Sequence, residues 1–439
     1  MPSSHAPSSP PAAGPRRTSA PPPTRHHRIV IVGGGTGGAT VAAQLCRRLR
    51  RPDVAVIEPS ETHEYQPLWT LVGGGVVPKE RSRHHEIDVL PRKATWIRQA
   101  VASFAPSENA VTLDDDSRVT YDYLVVAVGI QLNWDRIKGM SVEQLGRDGV
   151  CSNYRYDSCE GTWRTLQQFT GGTALFTNPP PPIKCAGAPQ KIMYLADDHF
   201  RRRGVRDRAR VIYASGTPGI FSVKEFAATL NKVIERKGIE TMYKCNLVEI
   251  KPSEHRAIFQ SLESEERTEV EYAMIHITPP QGPPDVIRSS PLANDAGWVN
   301  VDKATLQSPD YPNVFSLGDA SSLPTSKTGA AIRKEAPVLV HNLMATMAGR
   351  PPSEFKHYDG YASCPLVTGY GRLVLAEFDY ELKPAPSFPF DTTKERWSMY
   401  QLKRYGLPAM YWHAMVKGLD WPPRLPGKAR LSGARPSAA

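Results

Sequence analysis

The stretch from Arg28 to Glu58 constrains this chain more than any other. A short β-branched run, Arg28 to Val32, runs into Gly33-Gly34-Gly35-Thr36-Gly37-Gly38. A helical stretch, Ala39 to Arg50, follows, then a second apolar run, Val54 to Ile57, closed by Glu58. GxGxxG alone is a weak signal. A strand before it, a helix after it and an acid 20 residues beyond Gly38 make it a dinucleotide-binding βαβ unit. Gly33, Gly35 and Gly38 let the backbone approach a pyrophosphate, and the helix N-terminus attracts its charge. Glu58 is expected to accept hydrogen bonds from an adenosine ribose.

Two later segments fit the same fold. Tyr121 to Val128 is an apolar run ending in the Ala127-Val128-Gly129 turn, and Asn313 to Leu317 is a strand followed by Gly318-Asp319. Both resemble flavoproteins built from two dinucleotide folds, the glutathione reductase-like class. That likeness implies that Gly129 marks the exit from an FAD domain and that Asp319 binds the flavin's ribityl chain. The helix from about Gly329 to Ala348 would then aim its positive end at the flavin's pyrimidine edge. Lys327, just before it, either stabilises reduced, anionic flavin or is a solvated lysine.

The middle of the chain should be the second dinucleotide fold, opening with the strand Thr173 to Thr177. An NADH site needs a second glycine loop after that strand. The chain has Asn178-Pro179-Pro180-Pro181-Pro182-Ile183-Lys184-Cys185 instead. Prolines offer no backbone N–H to a pyrophosphate. The next strand, Arg210 to Ala214, lacks a terminal acid for a ribose. A cysteine stands where nicotinamide would bind. Cys185 follows a lysine and precedes the helical stretch Gln190 to Arg202, a setting that lowers a thiol's pKa.

With 439 residues the chain exceeds one simple core. The expected division is a disordered extension over 1–27, FAD-domain parts over 28–148 and 292–390, a second Rossmann-like domain without a nicotinamide loop over 149–291, and a membrane-associating segment over 391–439. The first 27 residues hold eight prolines, five serines, three arginines, no acid and no Leu, Ile, Val or Phe. They cannot bury enough surface to fold, and their composition gives only weak support to mitochondrial targeting. No stretch reads as a transmembrane helix. Six sparse cysteines without CxxC spacing argue against a disulfide-stapled fold and against a metal site.

The net charge of +10 suits an anionic surface or substrate. From Lys394 onward nine Lys and Arg stand against two acids. There, Pro408 to Asp420 reads as an amphipathic helix with Tyr411, Trp412, Met415, Val416 and Leu419 on one face. The alternatives are a membrane-surface element and a helix packed on the protein's own core. The first predicts that truncation after Phe390 releases the protein from membranes and leaves its flavin chemistry intact. Nucleic-acid binding is not expected, since no recognised fold accompanies the charge.

The blocks RIVIVGGGTGGATVA, IEPSETHEYQPLWTLVGGG, IKCAGAPQKIMYLAD, ITPPQGPPDV, YPNVFSLGDASSLPTSKTGAA and YDGYASCPLVTGYGRLVLAEFDY resemble the sulfide:quinone oxidoreductases, in the branch that includes the mitochondrial enzymes. The resemblance implies that Cys185 and Cys364 are the redox cysteines and that FAD is the cofactor, with Gln66 among its contacts. It implies hydrogen sulfide as donor and a ubiquinone-type quinone as oxidant. It further implies that the two cysteines are bridged at rest, by a disulfide or with an extra sulfur between them, and that hydrosulfide attacks the sulfur of Cys364, which becomes a persulfide as Cys185 leaves. The sulfane sulfur then passes to glutathione, coenzyme A, sulfite or sulfide. The location implied is peripheral, on the mitochondrial inner membrane or a bacterial cytoplasmic membrane. Arg333-Lys334-Glu335 departs from the small neutral residues of such relatives. Cys151 is a further candidate participant, while Cys46 and Cys245 read as inert. The competing readings are a type-II NADH:quinone oxidoreductase and a non-enzymatic flavin-fold interaction protein.

Overall fold

The computed structural model describes residues 24–419. The first sheet is built on β1 (Thr24–Val32), β2 (Val54–Ile57), β3 (Thr95–Ile97) and β4 (Arg118–Val126), side by side in the order β3-β2-β1-β4 and all parallel. Ile29, Val30 and Ile31 of β1 and all four residues of β2 are buried, as expected of a parallel sheet covered on both faces. An antiparallel hairpin, Val101–Ala105 and Ala110–Leu113, extends the sheet beyond β4. Helix α1 (Thr36–Arg48) connects β1 to β2.

The second sheet is fully parallel. Its strands β5 (Val150–Cys151), β6 (Gly172–Asn178), β7 (Ala209–Ser215), β8 (Glu240–Tyr243) and β9 (Met274–His276) lie in the order β5-β9-β6-β7-β8. Helix α2 (Ala188–Arg202) follows β6. The chain then returns to the first sheet: β10 (Val314–Ser316) pairs parallel with β4, Phe315 opposite Val125. Helix α3 (Gly329–Met347) follows. The hairpin of β11 (Ala362–Gly369) and β12 (Arg372–Phe378) pairs Cys364 with Ala376. The two dinucleotide folds are therefore present and interleaved as expected.

Two expectations need revision. The sheet begins at Thr24, not Arg28: Thr24 to His27 pair with Arg118 to Tyr121, and His27 Nδ1 lies 2.7 Å from Asp53 Oδ1. A lack of apolar side chains does not prevent backbone pairing at the end of an existing strand. Residues 1–23 lie outside the described residues, as does 420–439.

The C-terminal segment is helical, through Trp397–Gln401, a widened π turn at Leu402–Gly406, α4 (Leu407–His413) and a short 3-10 turn at Met415–Lys417. Its expected apolar face turns inward. Tyr411, Trp412, Met415 and Val416 are buried against the first domain, whereas Leu419 is 45% exposed. Burial against existing protein satisfies the same amphipathic pattern that a lipid surface would. The segment is thus joined to the flavin-type fold rather than separable from it. Among the described residues no helix is long and apolar enough to cross a membrane.

Candidate active site

The turn after β1 shows why glycine is needed at 33 and 38. Gly33 has φ +98°, and a Cβ there would lie 2.5 Å from the Ala127 carbonyl oxygen. A Cβ on Gly38 would sit 1.8 Å from the Gly33 oxygen, so only glycine lets α1 pack this close. Around Gly35 nothing lies within 4 Å of the Cβ position, and Gly35 caps α1 without a side-chain bond. The first N–H groups of α1 are therefore free to receive an anion. Glu58 accepts from the N–H groups of Gly34 and Ser60, each at 2.8 Å, and burial raises its carboxyl pKa.

These residues open onto a cavity of about 600 Å³. Gly33, Gly35, Glu58, Gln66, Gly129, Asp319 and Lys327 all line it, together with the start of α3. Gly38 does not; its part is packing. Empty space over Gly35, an uncapped helix start and a ribose-type acid beside it fit a dinucleotide. The Lys327 ammonium is not solvated: it donates to the carbonyls of Asp319 (2.7 Å) and Ser321 (3.1 Å) and lies 3.9 Å over the Trp298 ring. Burial lowers its pKa.

The cysteines meet at the edge of the cavity, which Cys185 lines. Cys185 Sγ and Cys364 Sγ are 3.3 Å apart although 179 residues separate them in sequence. Cys185 has φ +50°, a left-handed conformation rare for a side chain. It is held by its N–H on the Lys327 carbonyl (2.8 Å) and by its own carbonyl receiving the Ala188 N–H (2.7 Å). The Lys191 ammonium is 3.2 Å from Cys185 Sγ. The hydrogen bond with Cys364 and the Lys191 charge outweigh burial and hold the Cys185 thiol well below its ordinary range. The Cys185 sulfur and burial push Cys364 the other way. Burial opposes the Lys191 charge, but the two sulfurs prevail and raise its pKa. Lys403, buried nearby, is pulled to about 7 by burial and by Lys191. Lys184 is pulled to about 8 by burial and donates to Gln66 Oε1 at 2.7 Å. Gly187 allows the cysteine contact, since a Cβ there would lie 2.6 Å from Cys364 Sγ.

The remaining cysteines stay apart from this edge. Cys151 is sealed in the core of the second domain and burial pushes its thiol to about 12. Cys46, Cys159 and Cys245 are buried. The loop Pro179 to Pro182 packs on Gly216, where a Cβ would lie 2.4 Å from the Pro180 nitrogen. The dimple between the strand ends there, lined by Asn178, Pro179 and Asn246, has essentially no internal volume.

Residues 27–168 match the pyridine nucleotide-disulphide oxidoreductase family. The mitochondrial sulfide:quinone oxidoreductase of Mus musculus is 45% identical over 380 residues, 86% of this chain and 84% of that one. The corresponding Dictyostelium discoideum protein is 48% identical over 382 residues, 86% of this chain and 83% of that one. This chain belongs to the sulfide:quinone oxidoreductase family. The X-ray structure of the Aquifex aeolicus sulfide:quinone oxidoreductase superimposes with a TM-score of 0.75 at 20% identity, covering 91% of this chain and 93% of that one. At that identity it shows the shared fold. The fold is that of the flavin oxidoreductases.

Within this family fold, several cavity residues had no signal of their own in the sequence. Lys191 sits one helical turn past the Cys185 turn, within the KCAGAPQK block, and could have been found there. Lys403 and Tyr411 reach the cavity from the C-terminal segment, and only folding brings them in. Glu335, expected only as an odd charge, is buried and accepts the Gly318 N–H at 2.7 Å.

Proposed function

We propose that this protein oxidises sulfide at the Cys185–Cys364 pair and delivers two electrons through FAD to a ubiquinone-type quinone. The observation that carries this reading is the 3.3 Å approach of the two sulfurs at the wall of a dinucleotide-sized cavity, with an ammonium 3.2 Å from one of them. In the oxidised pair, hydrosulfide attacks Cys364 Sγ and the S–S bond breaks. Cys185 leaves as a thiolate, and the group with the lower pKa is the better leaving group. Lys191 stabilises that charge, and the sulfane sulfur stays on Cys364 as a persulfide. A thiol or sulfite acceptor such as glutathione, coenzyme A, sulfite or a second sulfide removes it. Re-oxidation of the two cysteines to the disulfide releases two electrons. FAD held in the cavity would supply the acceptor for that pair and the route to quinone. Gly33, Gly35, Glu58, Gln66, Gly129, Asp319 and Lys327 are the residues that would hold it.

The name "mitochondrial" carried by the relatives supports the inner mitochondrial membrane as the site, with peripheral attachment through the segment beyond Asp391. Trp397 (67% exposed), Tyr405 (47%) and Leu419 (45%) remain on its outer side, beside basic residues, as an interfacial element would present them. The NADH reading is disfavoured by the proline loop and by the filled dimple behind it.

An anaerobic titration of the purified flavoprotein tests the proposal. Sulfide should bleach the flavin band and NADH should not. Cys185→Ser and Cys364→Ser should keep the flavin and lose sulfide-dependent quinone reduction, whereas Cys46→Ser and Cys245→Ser should turn over. Rapid bleaching by NADH, or near-normal turnover without Cys364, would refute it.

A further inference from the structure

Helix α4 does more than cover the first domain. Leu407, Met410 and Tyr411 of α4, with Met415 just beyond it, line the cavity. The Tyr411 hydroxyl is 2.9 Å from Thr36 Oγ1, in the first turn of α1, and 2.5 Å from His63 Nε2. His63 Nδ1 lies 3.0 Å from Glu86 Oε2. All three of His63, Glu86 and Tyr411 are buried. With Glu86 as acceptor, His63 carries its proton on Nδ1. Through Nε2 the chain of hydrogen bonds runs on to the Tyr411 hydroxyl and from there to the Thr36 hydroxyl. Among the described residues Glu86 Oε1 has no partner, and it would lie 2.7 Å from a Cβ on Gly34, so this buried carboxyl group abuts the glycine turn itself.

The segment is also fastened to that turn's helix. Arg47 Nε donates to the Lys417 carbonyl at 2.6 Å, and a Cβ on Gly418 would lie 2.7 Å from the Ala43 backbone. Lys403 Nζ donates to the Pro67 carbonyl at 2.9 Å, and Trp412 stacks on His84 at 4.0 Å. The Tyr411 ring packs 4.3 Å from that of Tyr65.

We propose that Tyr411 is a cofactor-positioning residue: through Thr36 and the His63–Glu86 pair it fixes the start of α1, so that the C-terminal segment retains the FAD. This rests on the reading of the cavity as the FAD site. The same segment presents Trp397 and Tyr405 outward, so cofactor retention and surface attachment share one element.

The test measures FAD affinity of the apoprotein by flavin fluorescence quenching, alongside its thermal melting and far-UV circular dichroism. Tyr411→Phe keeps the ring and removes only the hydroxyl. Its apoprotein should melt as the wild type does, while the Kd for FAD rises about tenfold, the effect of one or two lost hydrogen bonds. Thr36→Val should weaken FAD binding similarly, and adding it to Tyr411→Phe should cost little more, because both break one chain. Truncation after Phe390 should give protein without flavin. An unchanged Kd in Tyr411→Phe, a rise that only tracks lost folding, or fully multiplicative effects of the two substitutions would overturn the inference. Wild-type protein that binds no FAD would overturn the cavity reading as well, which sets the two failures apart.

Discussion

The two cysteines carry opposite burdens. Cys185 is strained, partly buried at the cavity and beside an ammonium; Cys364 is buried on a strand and pushed toward the thiol. On the proposed mechanism, this asymmetry suits Cys185 to the leaving role and Cys364 to the sulfane-bearing one. Glu335 is a second residue whose charge state is set by its surroundings. Burial is the main cause that lifts its carboxyl to about 7 from an ordinary 4.5, opposed by the Gly318 N–H and reinforced by Asp319. A carboxyl with a raised folded pKa stabilises the fold fully below its unfolded value and loses that contribution as pH rises through 4.5 toward about 7. Glu335→Gln keeps an acceptor for Gly318 and cannot ionise. The variant should therefore gain stability relative to wild type between about pH 5 and about pH 8, by up to about 3 kcal/mol. Urea unfolding at both pH values measures this, and an equal difference at the two would show that Glu335 does not titrate in that window.

At the scale of elements, the turn Lys184 to Ala188 is the decisive one. It ends the loop after β6, bends through the left-handed Cys185, and starts α2 so that Lys191 points back at the sulfur. Gly187 makes this possible, because a side chain there would strike Cys364 Sγ and Leu366. Gly187→Ala should separate the sulfurs by a fraction of an ångström or more. A displacement near 1 Å costs about 100-fold in rate when it spoils a reacting pair. Flavin content should be unaffected, since α1 and its glycine turn are distant in the chain and belong to the other fold. Steady-state sulfide oxidation and the flavin spectrum of the variant read both expectations; normal turnover would mean that the turn relaxes without moving the cysteines.

The whole molecule joins two dinucleotide folds and a C-terminal strap, and leaves an outer face with Trp397, Tyr405 and Leu419 on the strap. Ile87, 63% exposed, lies on the turn whose Val89 carbonyl accepts from Lys417. Transferring such side chains into an apolar phase gains roughly 1.5–3 kcal/mol each at full burial, and partial insertion recovers a fraction of it. Anionic lipid adds an attraction that falls with salt. The triple variant Trp397→Ser, Tyr405→Ser, Leu419→Ser should bind anionic liposomes at least about tenfold more weakly in a co-sedimentation assay. It should still be reduced by sulfide. Unaltered liposome binding would exclude this face as the attachment surface.

The sequence alone determined what depends on neighbours along the chain. The βαβ turn, its acid Glu58, the proline loop and the Gly-Asp turn at 318–319 are local patterns; β2 lies where its apolar run puts it, and α3 starts where the flavoprotein resemblance does. The family blocks identified Cys185 and Cys364 as a pair. Only tertiary structure decided what depends on packing between distant segments: that Lys191 meets the Cys185 sulfur and Lys403 lines the same cavity, that Lys327 binds carbonyls, and that Glu335 is buried under Gly318. An amphipathic stripe such as Tyr411 to Val416 specifies that a face will be covered, not by what. Folding supplied the cover here, in α1 and the Tyr65 ring, because burial against preformed protein removes apolar surface from water as well as lipid does.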